Sequence, residues 1–412
     1  MSHPFCPNPI VLQRLYSGPL GAHIDTFEQQ LLTQGYASWT AKYTMRLLAD
    51  LSGWLQQQPL AVTDLNEQRV DEFLQDRYQC YRVHRDDRPT LNHWLDHLRD
   101  QGLIPVRVVE THTEPYERIA CDFEHYLLQQ RALAPSTVQH YLDTVRRFLR
   151  ACFSTQPLRL EALGPQDITD FMVQQSHRYC PARAQLLATA LRSFFRFLLQ
   201  RGAIATDLSQ AVPTVPNWRL SSLPRFMKAE DVDYLLQSCD RNTLKGQRDY
   251  AILLLLARLG LRAGEVVAMT LDDLDWDAGE LVVQGKGARQ DRLPLPHEVG
   301  EALALYLRHG RPSSATRQVF VRLRAPRRGF RNGRAITTIV HRAIIRAGLN
   351  PPLKGAHLLR HSLATQLLQN GASLTEIGEL LRHQDIETTR IYAKVDQETL
   401  RSLALPWPGG DA

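Results

Sequence analysis

Six side chains in the second half of the chain have the types and order to work on a phosphodiester. Arg262 stands in "ARLGLRAGEV" and Lys286 in "VVQGKGARQDRLPLP". His357 and Arg360 share "HLLRHSLAT", His383 lies in "LLRHQDIETT", and Tyr392 in "RIYAKV". Attack on a phosphodiester builds negative charge on the non-bridging oxygens, and fixed cations placed there lower the barrier. Arg262 and Arg360 suit that task, because a guanidinium stays charged and grips phosphate through two N–H groups. Tyr392 supplies a phenol oxygen as nucleophile. A free phenol has a pKa of about 10, so it needs a proton acceptor and a positive field. Glu265, three residues after Arg262, can pair with it and at the same time orient a neighbouring catalytic group rather than react. No metal-ligand cluster accompanies the six, and the chemistry calls for no cofactor.

In that order the six residues resemble the catalytic domain of the tyrosine recombinases, the phage-integrase family. The family pattern is an arginine after Gly-Leu, a hairpin lysine, His-x-x-Arg, a second histidine or tryptophan, and a tyrosine nine residues later. Here Arg262 follows Gly260–Leu261, Lys286 sits between two glycines, and His383 precedes Tyr392 by nine. The match covers roughly 225–400. It implies a 3′-phosphotyrosine intermediate that releases a 5′-hydroxyl, with Lys286 as general acid. It further implies that His357 assists proton transfer and that His383 bonds a non-bridging oxygen. His361 is expected to support its helix and is assigned no chemistry. Arg382 stands where the family more often has glycine, and Ala263–Gly264 lack a serine often found before the glutamate.

Several elements must position these groups. "AEDVDYLLQSC" and "DYAILLLLARLG" read as helices, the second largely buried, with Gly260 as its C-terminal cap. "GELVV" and "DRLPLP" read as strands joined through Gly285–Lys286–Gly287. "AITTIVHRAIIRAG" and "LLRHSLATQLLQNG" read as helices ending at Gly348 and Gly371. Ser373 and Glu376 form a capping box, and Asp385 is placed to cap the short helix that carries Tyr392.

The first 207 residues contain a degenerate duplication. The segment from Phe27 parallels that from Phe123, and each continues into a Pro-Leu and a second helical stretch. Leu60 pairs with Leu158, Leu65 with Leu163, Val70 with Ile168 and Phe73 with Phe171. One helical unit used twice is the simplest reading; two unrelated helix pairs is the other. The second unit resembles the SAM-like core-binding domain of the recombinases. The expected fold is therefore multidomain and mainly α: helical SAM-like domains ahead of a mixed α/β catalytic domain with a small antiparallel sheet. The expected boundaries are 1–108 for an extra N-terminal helical domain, 109–207 for the core-binding domain, 208–224 for a linker and 225–412 for the catalytic domain. Family resemblance implies that the tether lets the helical and catalytic bodies close around a duplex.

Charge points to the same partner. Net charge is +6, but residues 208–412 hold 28 Lys+Arg against 21 Asp+Glu, while 1–207 hold 21 against 22. Between Glu301 and Glu376 no acidic residue occurs. A polyanion bound by the C-terminal half follows. The run "RLRAPRRGFRNGR", with Arg327, Arg328, Arg331 and Arg334, is expected to lie along the DNA backbone, positioning rather than specifying. Six cysteines without a C-x-x-C pair fit reduced thiols. His93 and His97 lack a second ligand pair, so zinc is not expected there. The longest apolar run, Tyr250–Ala257, is far below the ~20 residues a bilayer needs, and no export signal opens the chain. The expected setting is cytoplasmic, nucleoid-associated when bound to DNA.

The reading is a site-specific recombinase or integrase acting on double-stranded DNA, in integration or transposition of a mobile element. It is expected to work as a homo-tetramer, with accessory proteins as possible partners. A C-terminal helix after Tyr392 would dock on a neighbouring protomer or fold back. Two alternatives use the same scaffold: a type IB topoisomerase-like or hairpin-resolving enzyme, and a catalytically silent DNA-binding regulator.

Overall fold

The computed structural model describes residues 9–58, 60–106, 116–153, 158–216, 224–285, 289–383 and 385–395. Contacts divide the chain into two units, Arg107–Ser221 and the combination of Met1–Val106 with Ser222–Ala412. The N-terminal body carries α1 (Pro9–Tyr16), α2 (Gly21–Thr33), α3 (Ser38–Gln57), α4 (Glu67–Cys80) and α5 (Asp87–Asp100). The second unit carries α6 (Glu117–His125), α7 (Pro135–Phe153), α8 (Pro165–Ser176) and α9 (Pro181–Gln200). Short 3-10 turns at Val62–Asp64 and Leu160–Ala162 precede α4 and α8. The order α2–α3–turn–α4–α5 thus recurs as α6–α7–turn–α8–α9.

The residue pairs behind the duplication do the same job in both bodies. Phe27 and Phe123, Leu65 and Leu163, Val70 and Ile168, and Phe73 and Phe171 are all buried, each in its own core. The amphipathic spacing of α7 drives this directly, with Val138, Leu142, Val145, Phe148 and Leu149 on the buried face. Residues 208–212, expected in the linker, belong instead to the second unit. Leu208–Ala211 forms a 3-10 turn, Leu208 and Val212 enter the core, and Arg192 Nη2 donates to the Val212 carbonyl at 3.0 Å. The apolar spacing of that stretch had been masked by its prolines and polar filler. Most of the remaining tether, 217–223, and the segment after residue 395 lie outside the described residues.

The C-terminal body is built on α11 (Leu244–Arg258), which follows α10 (Ala229–Gln237). Residues Ala251 to Leu256 of α11 are wholly buried, so this helix shows apolar side chains all round and serves as the centre of its core. Thr243 caps it by accepting from the Gly246 N–H at 3.0 Å. Gly260 ends it at φ +58°, in the left-handed region. Next come α12 (Ala263–Ala268) and the antiparallel strands β1 (Leu274–Asp275), β2 (Glu280–Gln284) and β3 (Gln290–Pro294), in the order β1-β2-β3. Leu281 pairs with Leu293 and Val283 with Asp291, and the Leu281, Val283 and Leu293 side chains face the core. The hairpin closes where the Gly285 N–H donates to the Arg289 carbonyl at 2.6 Å. Lys286 itself, in 286–288, lies outside the described residues.

The remaining elements are α13 (His297–Leu305), α14 (Arg334–Arg346), α15 (Ala356–Gln369) and α16 (Leu374–Leu380). α15 packs on α11, and the Met227 N–H donates to Ser362 Oγ at 2.8 Å, tying the start of this body to α15. The expected capping box is formed: Ser373 Oγ accepts from the Glu376 N–H at 3.2 Å, and the Glu376 carboxylate accepts from the Ser373 N–H at 2.7 Å. Asp385 accepts from the Glu387 N–H at 3.0 Å, opening the 3-10 turn that leads into Tyr392. No described helix is long and apolar enough to cross a membrane.

Candidate active site

Three chain segments meet: the turn from α11 into α12, the face of α15, and the stretch 381–392 after α16. Glu265 joins the first and third. Its carboxylate accepts from the Arg262 N–H at 2.8 Å, from Arg262 Nη1 at 2.7 Å and from Arg382 Nη2 at 2.8 Å. Burial pulls the Glu265 pKa upward. The Arg262 N–H and the Arg382 and Arg262 guanidinium groups outweigh it and hold the carboxylate below its ordinary range. Glu265 therefore pairs with Arg262 and also holds Arg382. Arg262 keeps 38% of its side chain exposed, so its charge is presented outward from this anchor.

Arg360 is buried. Its Nη1 donates to the Gly260 carbonyl and its Nη2 to the Leu381 carbonyl, so one guanidinium ties together both turns. Five N–H donors are available on the group, and two carbonyls do not exhaust them. Burial, then the charges of Arg262 and Arg382, lower its pKa to about 10, which still leaves it cationic at neutral pH. The reason α11 must end at Gly260 is now visible. A Cβ there would stand 2.6 Å from Leu381 Cδ2 and 3.1 Å from Leu363 Cδ2.

His383 follows Arg382, whose backbone lies at φ +55°. That left-handed conformation favours glycine, the residue that the resemblance leads one to expect at this position. In this chain the arginine side chain is buried and held by Glu265 at 2.8 Å. His383 Nδ1 meets the Thr389 hydroxyl at 2.6 Å. Burial and the nearby Arg360, Arg262, His361 and Arg382 push the His383 pKa down to about 4. The ring is neutral at pH 7. If the Thr389 hydroxyl donates to Nδ1, the other nitrogen carries the proton and is a donor.

Tyr392 is 1% exposed, its ring packed with Leu363, Ala364, Ile377 and Leu381 in a small core apart from the main one. Its hydroxyl lies 2.8 Å from His361 Nδ1. Burial pushes the phenol up to about 12, and Arg360 works against that rise. His357 and His361 stand four residues apart on α15 with ring centroids 6.4 Å apart. His357 faces solvent as a residue, yet enclosure of its ring, then Arg360 and Arg262, hold its pKa below the usual value.

The described residues thus bring together Arg262, Glu265, His357, Arg360, His383 and Tyr392. Among the described residues no group of His, Cys, Asp or Glu is arranged to hold a metal ion. Residues 225–399 match the phage integrase family, and residues 121–202 match the phage integrase N-terminal SAM-like domain. A protein of Sinorhizobium fredii named as an integrase/recombinase, y4rA, is 43% identical over 97% of both chains. The tyrosine recombinase XerD of Listeria monocytogenes is 33% identical over 68% of this chain and 95% of its own. This chain belongs to the phage integrase family.

Its fold agrees with solved tyrosine recombinases. The XerH site-specific recombinase bound to a palindromic difH substrate superimposes with a TM-score of 0.54 at 20% identity, covering 70% of this chain and 84% of that one. A lambda integrase dimer bound to a COC′ core site gives 0.52 at 17% identity, covering 80% and 91%. As a tyrosine recombinase the protein is a DNA strand-cleaving and rejoining enzyme, with SAM-like and mixed α/β parts as expected.

Two contacts of this recombinase were not anticipated from sequence. His361 touches the phenol, and Thr389 orients His383. The spacing of His357 and His361 was the available signal, since residues four apart share a helix face. Thr389 lay in a short segment without periodicity. The arginine run divides. Arg328, Arg331 and Arg334 are exposed, whereas Arg327 turns toward the N-terminal body. Its N–H donates to the Gln34 carbonyl at 2.9 Å, and its side chain lies over Gly35, where a Cβ would stand 2.4 Å from Arg327 Cδ. Gly35 also sits at φ +74°, a second and independent reason for glycine there.

Proposed function

We propose that this chain is a site-specific recombinase that breaks DNA strands through a 3′-phosphotyrosine at Tyr392, serving integration or transposition of a mobile element. The observation that carries the reading is the convergence of Tyr392 with Arg262, Arg360, His357 and His383 from three separated segments. Arg262 and Arg360 hold the non-bridging oxygens, and their charge offsets what accumulates as the phenol oxygen attacks. The neutral His383 ring, set by Thr389, donates to one of those oxygens. His357 assists proton transfer, and Lys286 protonates the leaving 5′-oxygen. The ester between tyrosine and DNA conserves bond energy, so a second 5′-hydroxyl reseals the strand without ATP. Four protomers on two DNA sites would exchange strands in pairs. The proposed division of labour is 1–108 for an extra helical body, 109–212 for core binding and 225–412 for catalysis.

A type IB topoisomerase-like enzyme would need the same residues, so the separating test is joining. Plasmids carrying pairs of DNA segments from around the chain's own gene are incubated with purified protein. Deletion or inversion between paired segments is expected. Relaxation of supercoils without any joined product would favour the topoisomerase reading, and neither product would favour a silent DNA-binding regulator.

A further inference from the structure

We propose that His361 is the base that takes the phenolic proton of Tyr392 as its oxygen attacks phosphorus, and the acid that returns it when the ester is reversed. The inference rests on the reading of Tyr392 as nucleophile. His361 Nδ1 lies 2.8 Å from the Tyr392 hydroxyl, within the reach a general base requires. The other histidines are placed differently. His383 Nδ1 is engaged by Thr389 at 2.6 Å, and the His357 ring centroid is 6.4 Å from that of His361.

The charged and titratable groups around His361 are His357 and Arg360 on its own helix, Tyr392 on the 390–395 turn, and His383 on the turn after α16. Burial, then His357 and Arg360, hold the His361 pKa below the usual histidine value, which favours the neutral ring; with the ring proton on Nε2, Nδ1 accepts from the phenol. A phosphate bound by the neighbouring arginines carries negative charge into the site. That charge grows in the transition state and favours the imidazolium when it is needed.

The step balances. The Tyr392 oxygen–phosphorus bond forms as the bond from phosphorus to the 5′-oxygen breaks. The phenolic proton passes to His361 Nδ1, and the leaving oxygen takes a separate proton from the group proposed for that role, Lys286. Resealing runs the same transfers backward.

The test uses the full chain on a duplex nicked beside the cleavage position, so that the covalent adduct accumulates. His361→Asn keeps an amide able to bond the phenol but cannot take its proton, whereas His361→Ala removes both functions. Single-turnover adduct formation is followed from pH 5 to 9, with DNA binding by gel shift as the check on folding. Loss of a general base costs about 10²–10⁴-fold. Both variants are expected to slow by that order and to lose the acid limb of the wild-type profile, and added imidazole is expected to restore His361→Ala. An asparagine variant with the wild-type rate, or one that keeps the acid limb, overturns the proposal. A parallel Tyr392→Phe arm separates the two readings. Adduct in that arm would remove the nucleophile assignment itself, while its absence beside a normal His361→Asn would remove only the base.

Discussion

Three histidines near Tyr392 are held below their ordinary pKa by burial and by arginine charge. For His383 the folded value is about 4, against about 6.5 for the unfolded chain. Between those values the unfolded chain binds a proton that the folded chain refuses. Stability from this group is therefore fully present above pH 6.5 and is lost as pH falls toward 4. Melting temperature measured across pH 4–7 is expected to fall steeply on the acid side, and His383→Asn is expected to flatten that slope. An identical slope in the variant would mean that His383 does not contribute to it. Arg262, Arg360, His383 and Tyr392 were legible as candidate site residues from type, spacing and family resemblance. The Tyr392–His361 and His383–Thr389 contacts were not, because they depend on how a 3-10 turn folds against α15.

At the level of elements, the turn leaving α11 sets the geometry of the centre. Gly260 supplies a left-handed backbone, a carbonyl for Arg360, and room for Leu381 and Leu363. Gly348 ends α14 with a similar φ of +66° but has nothing within 4 Å of a would-be Cβ. Alanine at either position should cost roughly 1–2 kcal/mol from the backbone alone. Gly260→Ala is expected to lose more than Gly348→Ala in urea unfolding, and to depress adduct formation as well, while Gly348→Ala retains it. Equal losses at the two positions would show that the close packing at Gly260 is not limiting. Both glycines were legible as helix ends, because a C-terminal glycine is a local signal. Their difference was not, because it arises from residues about a hundred positions away. The 3-10 turn at 208–211 escaped for a related reason: its two apolar anchors make sense only against the core they enter.

Across the whole molecule, the surplus of positive charge in residues 208–412 predicts salt-dependent DNA binding. Each phosphate contact contributes about 0.9 to the slope of log affinity against log salt. If Arg328, Arg331 and Arg334 lie along the backbone, replacing all three with alanine should reduce that slope by roughly 2–3. Arg327→Ala is expected to change it by less than one contact's worth, because Arg327 packs over Gly35. A triple variant with an unchanged slope would mean that the run is merely solvated. The general architecture was legible in advance: a duplicated helical unit, a mixed catalytic body and their order. The contact between the N-terminal body and Arg327 was not, since it joins segments nearly 300 residues apart through one backbone bond and one glycine.

Mapping the covalent adduct is the most direct measurement. Protein trapped on a nicked duplex would be digested with protease and nuclease, and the modified peptide identified by mass spectrometry. A nucleotide attached through its 3′-phosphate to Tyr392, with a free 5′-hydroxyl on the released strand, is the expected result. An adduct on another residue, a 5′ linkage, or strand exchange undiminished by Tyr392→Phe would contradict it.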